Sequence, residues 1–266
     1  MTGSATSSDL HSTSYGEAGE LVVFCHGLFG QGRNWTQIAK QLSGDHRTLL
    51  LDMPDHGRSV WTERFDYLGA ADRVADVLSA DDPAALVGHS MGGKIAMLVA
   101  LRHPELVERL VVVDVSPVTY HHSDEFRSYI DAMRSLDLST LQRRGEADER
   151  MQEAVPNRTV RSFLLQNLRH QHGEWSWQLN LEVLRRDLAT LGGWPEDRLA
   201  DTAPYDGPVL WVAGADSHYV RDDYAEAMNR LFPATRRVSI KGAGHWVHSE
   251  RPEVFVEVLR RFLPQG

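Results

Sequence analysis

Short apolar runs alternate with amphipathic stretches along the first half of the chain. The runs are rich in Leu and Val and are bounded by turn residues or charges, which is typical of buried strands. They occupy residues 21–25, 48–51, 84–87 and 110–115. Between them, apolar residues recur at helical spacing, as at Leu68, Ala71, Val74, Ala75 and Leu78. This alternation predicts an α/β fold with a mostly parallel central sheet flanked by helices.

The alternation stops after Pro117 and resumes near residue 207. Between these points the pattern is almost entirely helical, and strands then return at 209–213 and 237–240 with a last helix over 252–262. We therefore expect one core domain, residues 17–116 and 207–266, interrupted by an inserted helical cap, residues 117–206. The Ser- and Thr-rich residues 1–16 are predicted to form a flexible tail.

Composition excludes several classes of protein. With 28 Lys and Arg against 37 Asp and Glu, the net charge is −9, and no basic stripe suggests binding to nucleic acid. A single cysteine, Cys25, rules out an internal disulfide.

No run approaches the ~20 apolar residues of a membrane span, and the N-terminus lacks the features of a signal peptide. We expect a soluble, cytoplasmic protein, and the sequence does not indicate its oligomeric state.

A candidate nucleophile lies between a predicted strand and a predicted helix. The segment Gly88-His89-Ser90-Met91-Gly92 matches the G-x-S-x-G pattern and directly follows the strand at 84–87. In a nucleophile elbow this sharp turn exposes a serine hydroxyl, and small residues two positions away let the strand and helix backbones approach. Ser90 is therefore the predicted nucleophile.

Serine needs a base, and an acid must orient that base. His245 lies in a Gly-rich loop after the last predicted strand, at the sheet edge where Ser90 is also expected. Two acids fit the chain order Ser, Asp, His: Asp114 ends the strand after the Ser90 helix, and Asp216 follows the next strand. The pattern alone leaves both open.

The transition state of acyl transfer also needs two fixed donors for its oxyanion. We expect one to be the backbone N–H of Met91, directly after the nucleophile. The other is expected in the loop His26-Gly27-Leu28-Phe29-Gly30, with Leu28 as first choice and Phe29 as second. A thiol nucleophile at Cys25 is disfavoured because this residue lies inside an apolar strand.

Together these segments resemble the α/β-hydrolase superfamily. More narrowly, HGLFG, GHSMGGK, Val113-Asp114-Val115-Ser116-Pro117, Trp175-Ser176-Trp177, Gly193-Trp194-Pro195 and GAGHWVH resemble the YbfF/ABHD11-type esterase family. The resemblance implies hydrolysis of carboxylic esters, and also of acyl thioesters, without a metal or an organic cofactor. In many relatives the acid lies three residues after the glycine that ends the seventh strand, where this chain has Ser217. Because related esterases use the Asp of the preceding strand, the resemblance favours Asp114, with Ser217 as a hydrogen-bonding helper.

The predicted cap supplies aromatic side chains for an apolar acyl site. The candidates for substrate binding are Phe29, Tyr120, Phe163, Trp175, Trp177 and Trp194. They favour small to medium uncharged acyl groups on a small-molecule ester or thioester. Three alternatives remain open on the same fold: a C–C bond hydrolase, a MenH-type lyase, and a small-molecule receptor with a slow or silent triad.

Overall fold

A computed structural model describes residues 9–121 and 124–264. Seven of its strands form one sheet and two form a separate hairpin. The strands are β1 Ser12–Tyr15, β2 Leu21–Cys25, β3 Arg47–Leu51, β4 Ala84–His89, β5 Val107–Val113, β6 Leu168–Gln171, β7 Glu174–Trp177, β8 Val209–Gly214 and β9 Thr235–Ile240. The order across the large sheet is β1-β3-β2-β4-β5-β8-β9, and every pairing except β1 with β3 is parallel. This arrangement confirms the predicted α/β class.

Helices cover both faces of the sheet. The α-helices are α1 Thr36–Leu42, α2 Tyr67–Ala75, α3 Met91–Arg102, α4 Asp124–Arg134, α5 Arg144–Arg150, α6 Arg158–Leu165, α7 Leu181–Arg186, α8 Leu188–Gly192, α9 Ala225–Leu231, α10 Val247–Glu250 and α11 Pro252–Phe262. Short 3-10 turns occur at Gly32–Trp35, Pro104–Leu106, Leu138–Thr140, Glu196–Leu199 and Asp222–Tyr224. None of the described helices is long and apolar enough to cross a membrane.

Two apolar clusters form the core, one on each face of the sheet. One face packs α1 and α11 against the strands, and the other packs α2 and α3 together with the segment inserted after β5. Strands β4 and β8 are buried at every residue, and α3 is buried at all positions except Arg102. A helix that is buried on all sides belongs in the centre of a domain. Consequently, α3 and the strand that precedes it have little freedom to move.

The segment inserted between β5 and β8 is less helical than the sequence suggested. It contains α4 to α8, but β6 and β7 form an antiparallel hairpin in which Leu168 pairs with Trp177. His172 and Gly173 at its turn both have positive φ, of 53° and 86°. Consecutive positive φ values are typical of a two-residue hairpin turn. This turn reverses the chain, so that the aromatic stretch around Trp175 pairs with β6 as a strand.

The predicted flexible tail is wrong for four of its residues. Ser12–Tyr15 pairs antiparallel with β3 at the edge of the sheet, from Ser12 opposite Leu51 to Tyr15 opposite Thr48. The strand was not predicted because Ser12, Thr13 and Ser14 are polar and exposed, so no apolar alternation marks it. Residues 1–8, which were part of the same prediction, lie outside the described residues.

Candidate active site

Ser90 lies at the carboxyl end of β4 in a strained backbone conformation. Its φ of 52° and ψ of −119° fall outside the regions that non-glycine residues favour, and its N–H donates to the carbonyl of Val113 at 3.0 Å. Such strain persists where surrounding structure imposes it, which happens most often at functional sites. Here the neighbouring strand β5 holds the turn from one side.

The glycines around Ser90 are required by close backbone contacts. A Cβ atom at Gly88 would collide with the carbonyl of Gly92, and a Cβ at Gly92 would collide with the carbonyls of Cys25 and His26. These contacts are between main-chain atoms, so a side chain could not be accommodated by a rotamer change. The G-x-S-x-G spacing therefore allows β4, α3 and the end of β2 to meet at one point.

Ser90, His245 and Asp114 form a hydrogen-bonded chain. The Oγ of Ser90 lies 3.1 Å from Nε2 of His245, and Nδ1 of His245 lies 2.8 Å from Oδ2 of Asp114. Because a carboxylate only accepts hydrogen bonds, the imidazole proton belongs on Nδ1, which leaves Nε2 as an acceptor for the serine hydroxyl. His245 is thus held in the tautomer that a general base needs.

The two acids that the sequence left open have different surroundings. Asp114 is fully buried, and its carboxylate also accepts hydrogen bonds from Gly214 N–H at 3.0 Å and from the hydroxyl of Ser217. Asp216 is exposed, and in the described residues its side chain forms no hydrogen bond with His245. The structure therefore brings Asp114 and Ser217 to His245 and leaves Asp216 in solvent.

The loop after β2 presents the free amide of Leu28 at the pocket that contains Ser90. Leu28 and Met91 line the same pocket as Ser90, and within the described chain neither backbone N–H donates to a protein acceptor. By contrast, the N–H of Phe29 donates to Nε2 of His56 at 3.2 Å. The first-choice pair, Leu28 and Met91, is therefore available to an oxyanion, and the second choice is occupied.

Two buried histidines, His26 and His56, form hydrogen bonds that hold this loop in place. Met53 N–H donates to Nε2 of His26 at 2.9 Å, while Nδ1 of His26 bonds to the carbonyl of Gly27 and Nδ1 of His56 to that of Pro54, both at 2.8 Å. Burial, reinforced by His56, lowers the pKa of His26 to about 3, and burial also lowers the pKa of His56. Both rings are therefore neutral at physiological pH, and their role is to hold the loop through hydrogen bonds.

Sequence reasoning missed two aromatic neighbours of His245. His89 donates from Nε2 to the carbonyl of His245 at 2.8 Å, and the ring of Tyr219 stacks on the imidazole with centroids 4.1 Å apart. Burial, with smaller contributions from His245 and His248, lowers the pKa of His89 well below its ordinary value. His89 occupies the variable position before the serine, so its place in the motif was the only available signal.

Ser90 opens into a small pocket between the sheet and the inserted segment. The room for the centres of water-sized molecules is about 50 Å³. Its walls are Leu28, Tyr67, Met91, Lys94, Val115, Tyr120, Phe126, Leu188, Leu191, Gly192 and Tyr219. On the other side of Ser90, a narrower pocket includes Phe29, Phe163, His245 and Trp246. Phe163 and Trp246 also line an outer cleft of about 360 Å³.

The predicted substrate-binding aromatics divide into two groups. Phe29, Tyr120 and Phe163 line the pockets that include Ser90, whereas Trp175, Trp177 and Trp194 line neither of them. Trp177 donates from Nε1 to the carbonyl of Met133 at 3.2 Å, Trp175 packs on His170, and Trp194 is buried. These three tryptophans therefore lie outside both pockets that include Ser90, which corrects their predicted role in substrate binding. In the described residues, no cluster of His, Cys, Asp or Glu has the composition of a metal site.

A strained serine at a strand–helix elbow, with His245 at the sheet edge, is the arrangement of an α/β hydrolase. Comparison with known proteins agrees. The alpha/beta hydrolase fold family matches residues 20–252. A solved marine microorganism esterase superimposes with a TM-score of 0.91 at 29% identity, covering 97% of this chain and 100% of that chain.

Two relatives place the chain in one family within the α/β hydrolases. The mouse sn-1-specific diacylglycerol lipase ABHD11 is 38% identical over 91% of this chain and 80% of its own length. The Escherichia coli esterase YbfF is 34% identical over 91% of this chain and 92% of its own length. The chain therefore belongs to the YbfF/ABHD11-type esterase family of the α/β hydrolases, and it is a carboxylic ester hydrolase.

Proposed function

We propose that the chain cleaves carboxylic esters of small to medium acyl groups through a covalent acyl–Ser90 intermediate. The observation that carries this proposal is the hydrogen-bonded chain from Ser90 Oγ through His245 to Asp114, with distances of 3.1 Å and 2.8 Å. The mostly apolar wall around Ser90 supports acyl chains with methylene groups next to the carbonyl, and the small pocket volume supports short ones. Acyl thioesters would react through the same groups, with a thiol in place of the alcohol as the leaving group.

In the acylation step, Ser90 transfers its proton to Nε2 of His245 while Oγ attacks the carbonyl carbon of the ester. The negative charge that develops on the carbonyl oxygen is stabilised by the N–H groups of Leu28 and Met91. Asp114 stabilises the imidazolium that forms. The imidazolium then protonates the leaving alkoxide, so that an alcohol departs and the acyl group stays on Ser90.

In the deacylation step, water takes the place of the alcohol. Neutral His245 accepts a proton from water as the oxygen attacks the acyl–Ser90 carbonyl, and the same amides stabilise the second oxyanion. When this intermediate collapses, His245 returns the proton to Oγ of Ser90. The products are a carboxylic acid and the free enzyme, and no cofactor takes part.

The decisive experiment compares Ser90→Ala with the unchanged protein on a panel of p-nitrophenyl esters and acyl-CoA thioesters of increasing length. We expect kcat to fall at least about 10³-fold, since removal of a triad nucleophile has effects of this size or larger. Ser79→Ala is the matched control because Ser79 is exposed in a turn before β4. Near-normal turnover by folded Ser90→Ala protein would contradict the proposal.

The same panel, extended by a fluorophosphonate probe and a vinylogous diketone, separates the esterase from a silent receptor and from a C–C bond hydrolase. A fluorophosphonate probe that labels Ser90 without ester turnover would indicate a receptor with a silent triad. Turnover of a vinylogous diketone in preference to every ester would indicate a C–C bond hydrolase. Rapid hydrolysis of short esters, together with labelling that Ser90→Ala abolishes, is the result that the proposal requires.

A further inference from the structure

Lys94 is a buried cation in the wall of the Ser90 pocket. It lies one helical turn after the nucleophile in α3, where its N–H donates to the carbonyl of Ser90 at 3.1 Å. Residues four apart lie on the same side of a helix, and Lys94 accordingly lines the same pocket as Ser90 while remaining only 2% exposed. The proposed hydrolytic steps do not use this side chain.

The ammonium group of Lys94 is only partly satisfied by the protein. Nζ donates to the carbonyls of Gly192 at 2.8 Å and Gly193 at 2.5 Å, at the end of α8. It also lies over the rings of Tyr67 and Tyr120, at 5.7 and 4.9 Å from their centroids. An ammonium has three N–H donors, so one remains after the two carbonyls.

No acidic side chain compensates this charge. Among the residues that the structure describes, no Asp or Glu forms an ion pair with Lys94. The groups that face it are the phenols of Tyr67 from α2 and Tyr120 from the loop after β5, together with the two carbonyls at the end of α8. Burial lowers the pKa of Lys94 to about 7. An uncompensated cation in an apolar pocket is costly, and an anionic ligand would offset that cost.

We propose that Lys94 binds a carboxylate at the far end of a short acyl chain, so that the preferred substrates are half-esters of short dicarboxylic acids. This proposal rests on the esterase function proposed above and refines its substrate class. The apolar walls would contact the methylene groups, and the free N–H of Lys94 would donate to the terminal carboxylate in a charge-assisted hydrogen bond.

The pocket volume fits an acyl group of this length. About 50 Å³ accommodates the centres of roughly four water-sized groups. Beyond its reacting carbonyl, a succinyl chain has two methylene groups and a carboxylate. Ethyl hydrogen succinate would therefore acylate Ser90, release ethanol, and leave a succinyl ester that water converts to succinate and regenerated Ser90.

The test compares three ethyl esters whose acyl groups have nearly the same shape: the hydrogen succinate, the uncharged succinamate and the apolar 4-methylpentanoate. Ethanol release gives kcat/KM for each. The unchanged protein should prefer the hydrogen succinate over the 4-methylpentanoate by at least about tenfold, as expected for a hydrogen bond to a charged group. Lys94→Met should lower this preference at least about tenfold. Lys40→Met, which removes an exposed lysine on α1, should leave it unchanged.

The pH dependence of the preference is a second measurement that needs no variant. Lys94 loses its charge as pH rises through about 7, whereas the substrate carboxylate stays ionised. The ratio of the two kcat/KM values should therefore fall between pH 6 and 8, roughly one unit on each side of that pKa.

Each outcome separates this proposal from the esterase function. Equal or better turnover of ethyl 4-methylpentanoate in a reaction that Ser90→Ala abolishes would overturn the role of Lys94 and leave the esterase function intact. A preference for the carboxylate that survives in Lys94→Met would also overturn it. If Lys94→Met does not fold, the preference of the unchanged protein and its pH dependence decide. Absence of hydrolysis of all esters would overturn the esterase function itself.

Discussion

The ends of the central strands and the inserted segment are built in different ways. Strands β4 and β8 are buried at every position, and backbone hydrogen bonds between strands place Ser90 and Asp114. The inserted segment also carries side-chain contacts at its surface, including exposed ion pairs such as Arg134 with Glu182. In the proposed function, main-chain geometry at the strand ends positions the reacting groups, and side chains of the inserted segment such as Phe126, Leu188 and Leu191 supply part of the pocket wall.

The largest effect on turnover is expected at the buried end of β5, where the carboxylate of Asp114 lies. Asp114→Asn should lower kcat about 10³- to 10⁴-fold, because an amide favours the wrong tautomer of His245. Asp216→Asn should stay within about twofold of the unchanged protein, since Asp216 is exposed. Steady-state kinetics on a short ester, with thermal unfolding as a check of folding, tests both. If Asp216→Asn alone abolished turnover, the acid would lie on the other loop.

A smaller effect is expected in the inserted segment. Phe163 packs near Trp246, with ring centroids 6.0 Å apart, and lines both the inner pocket and the outer cleft. Phe163→Ala should raise KM about tenfold with kcat within about twofold, because it removes apolar contact that ground and transition states share. Trp175→Ala is the control, since Trp175 lines neither Ser90 pocket. An equal rise in KM in both variants would show that the pocket collapses generally.

The smallest effect is expected at the surface of the same segment. Glu182 accepts two hydrogen bonds from Arg134, at 2.9 and 3.0 Å, and its side chain is 77% exposed. Glu182→Gln should lower the free energy of unfolding by less than about 0.5 kcal/mol, as is typical of exposed pairs. Leu184→Ala, on the same helix but fully buried, should cost about 2–5 kcal/mol. Denaturant unfolding of both would show whether apolar packing or ion pairs hold the segment.

How much of the fold could be predicted depended on burial. The runs that became β4 and β8 are apolar throughout, so composition alone identified them as strands. The polar Ser12–Tyr15 carries no such pattern, because its register is set by pairing with β3 rather than by an apolar face. The hairpin of β6 and β7 was hidden in an aromatic stretch whose turn is visible only in its backbone angles.

The candidate site could likewise be predicted only in part. Ser90 and His245 could be predicted because each lies at a predictable point of a strand end. The choice between Asp114 and Asp216 could not be made from the pattern, since it depends on which side chain turns inward from two adjacent loops. The position of Lys94 was equally hidden, because nothing in a helical sequence shows that its ammonium group meets two carbonyls at the end of a neighbouring helix.

The neighbouring positions of Ser90 and Asp114 have a practical consequence for engineering. The two residues follow strands that are directly paired, with His89 opposite Val113, and Ser90 is itself bonded to Val113. Ser90 and Asp114 therefore keep their relative positions independently of the inserted segment that covers them. A chimaera that exchanged residues 124–199 for the corresponding segment of another family member would keep this spacing and replace the part of the pocket wall that Phe126, Leu188, Leu191 and Gly192 supply. Grafting of that segment is thus a route to new acyl selectivity on an unchanged reaction centre.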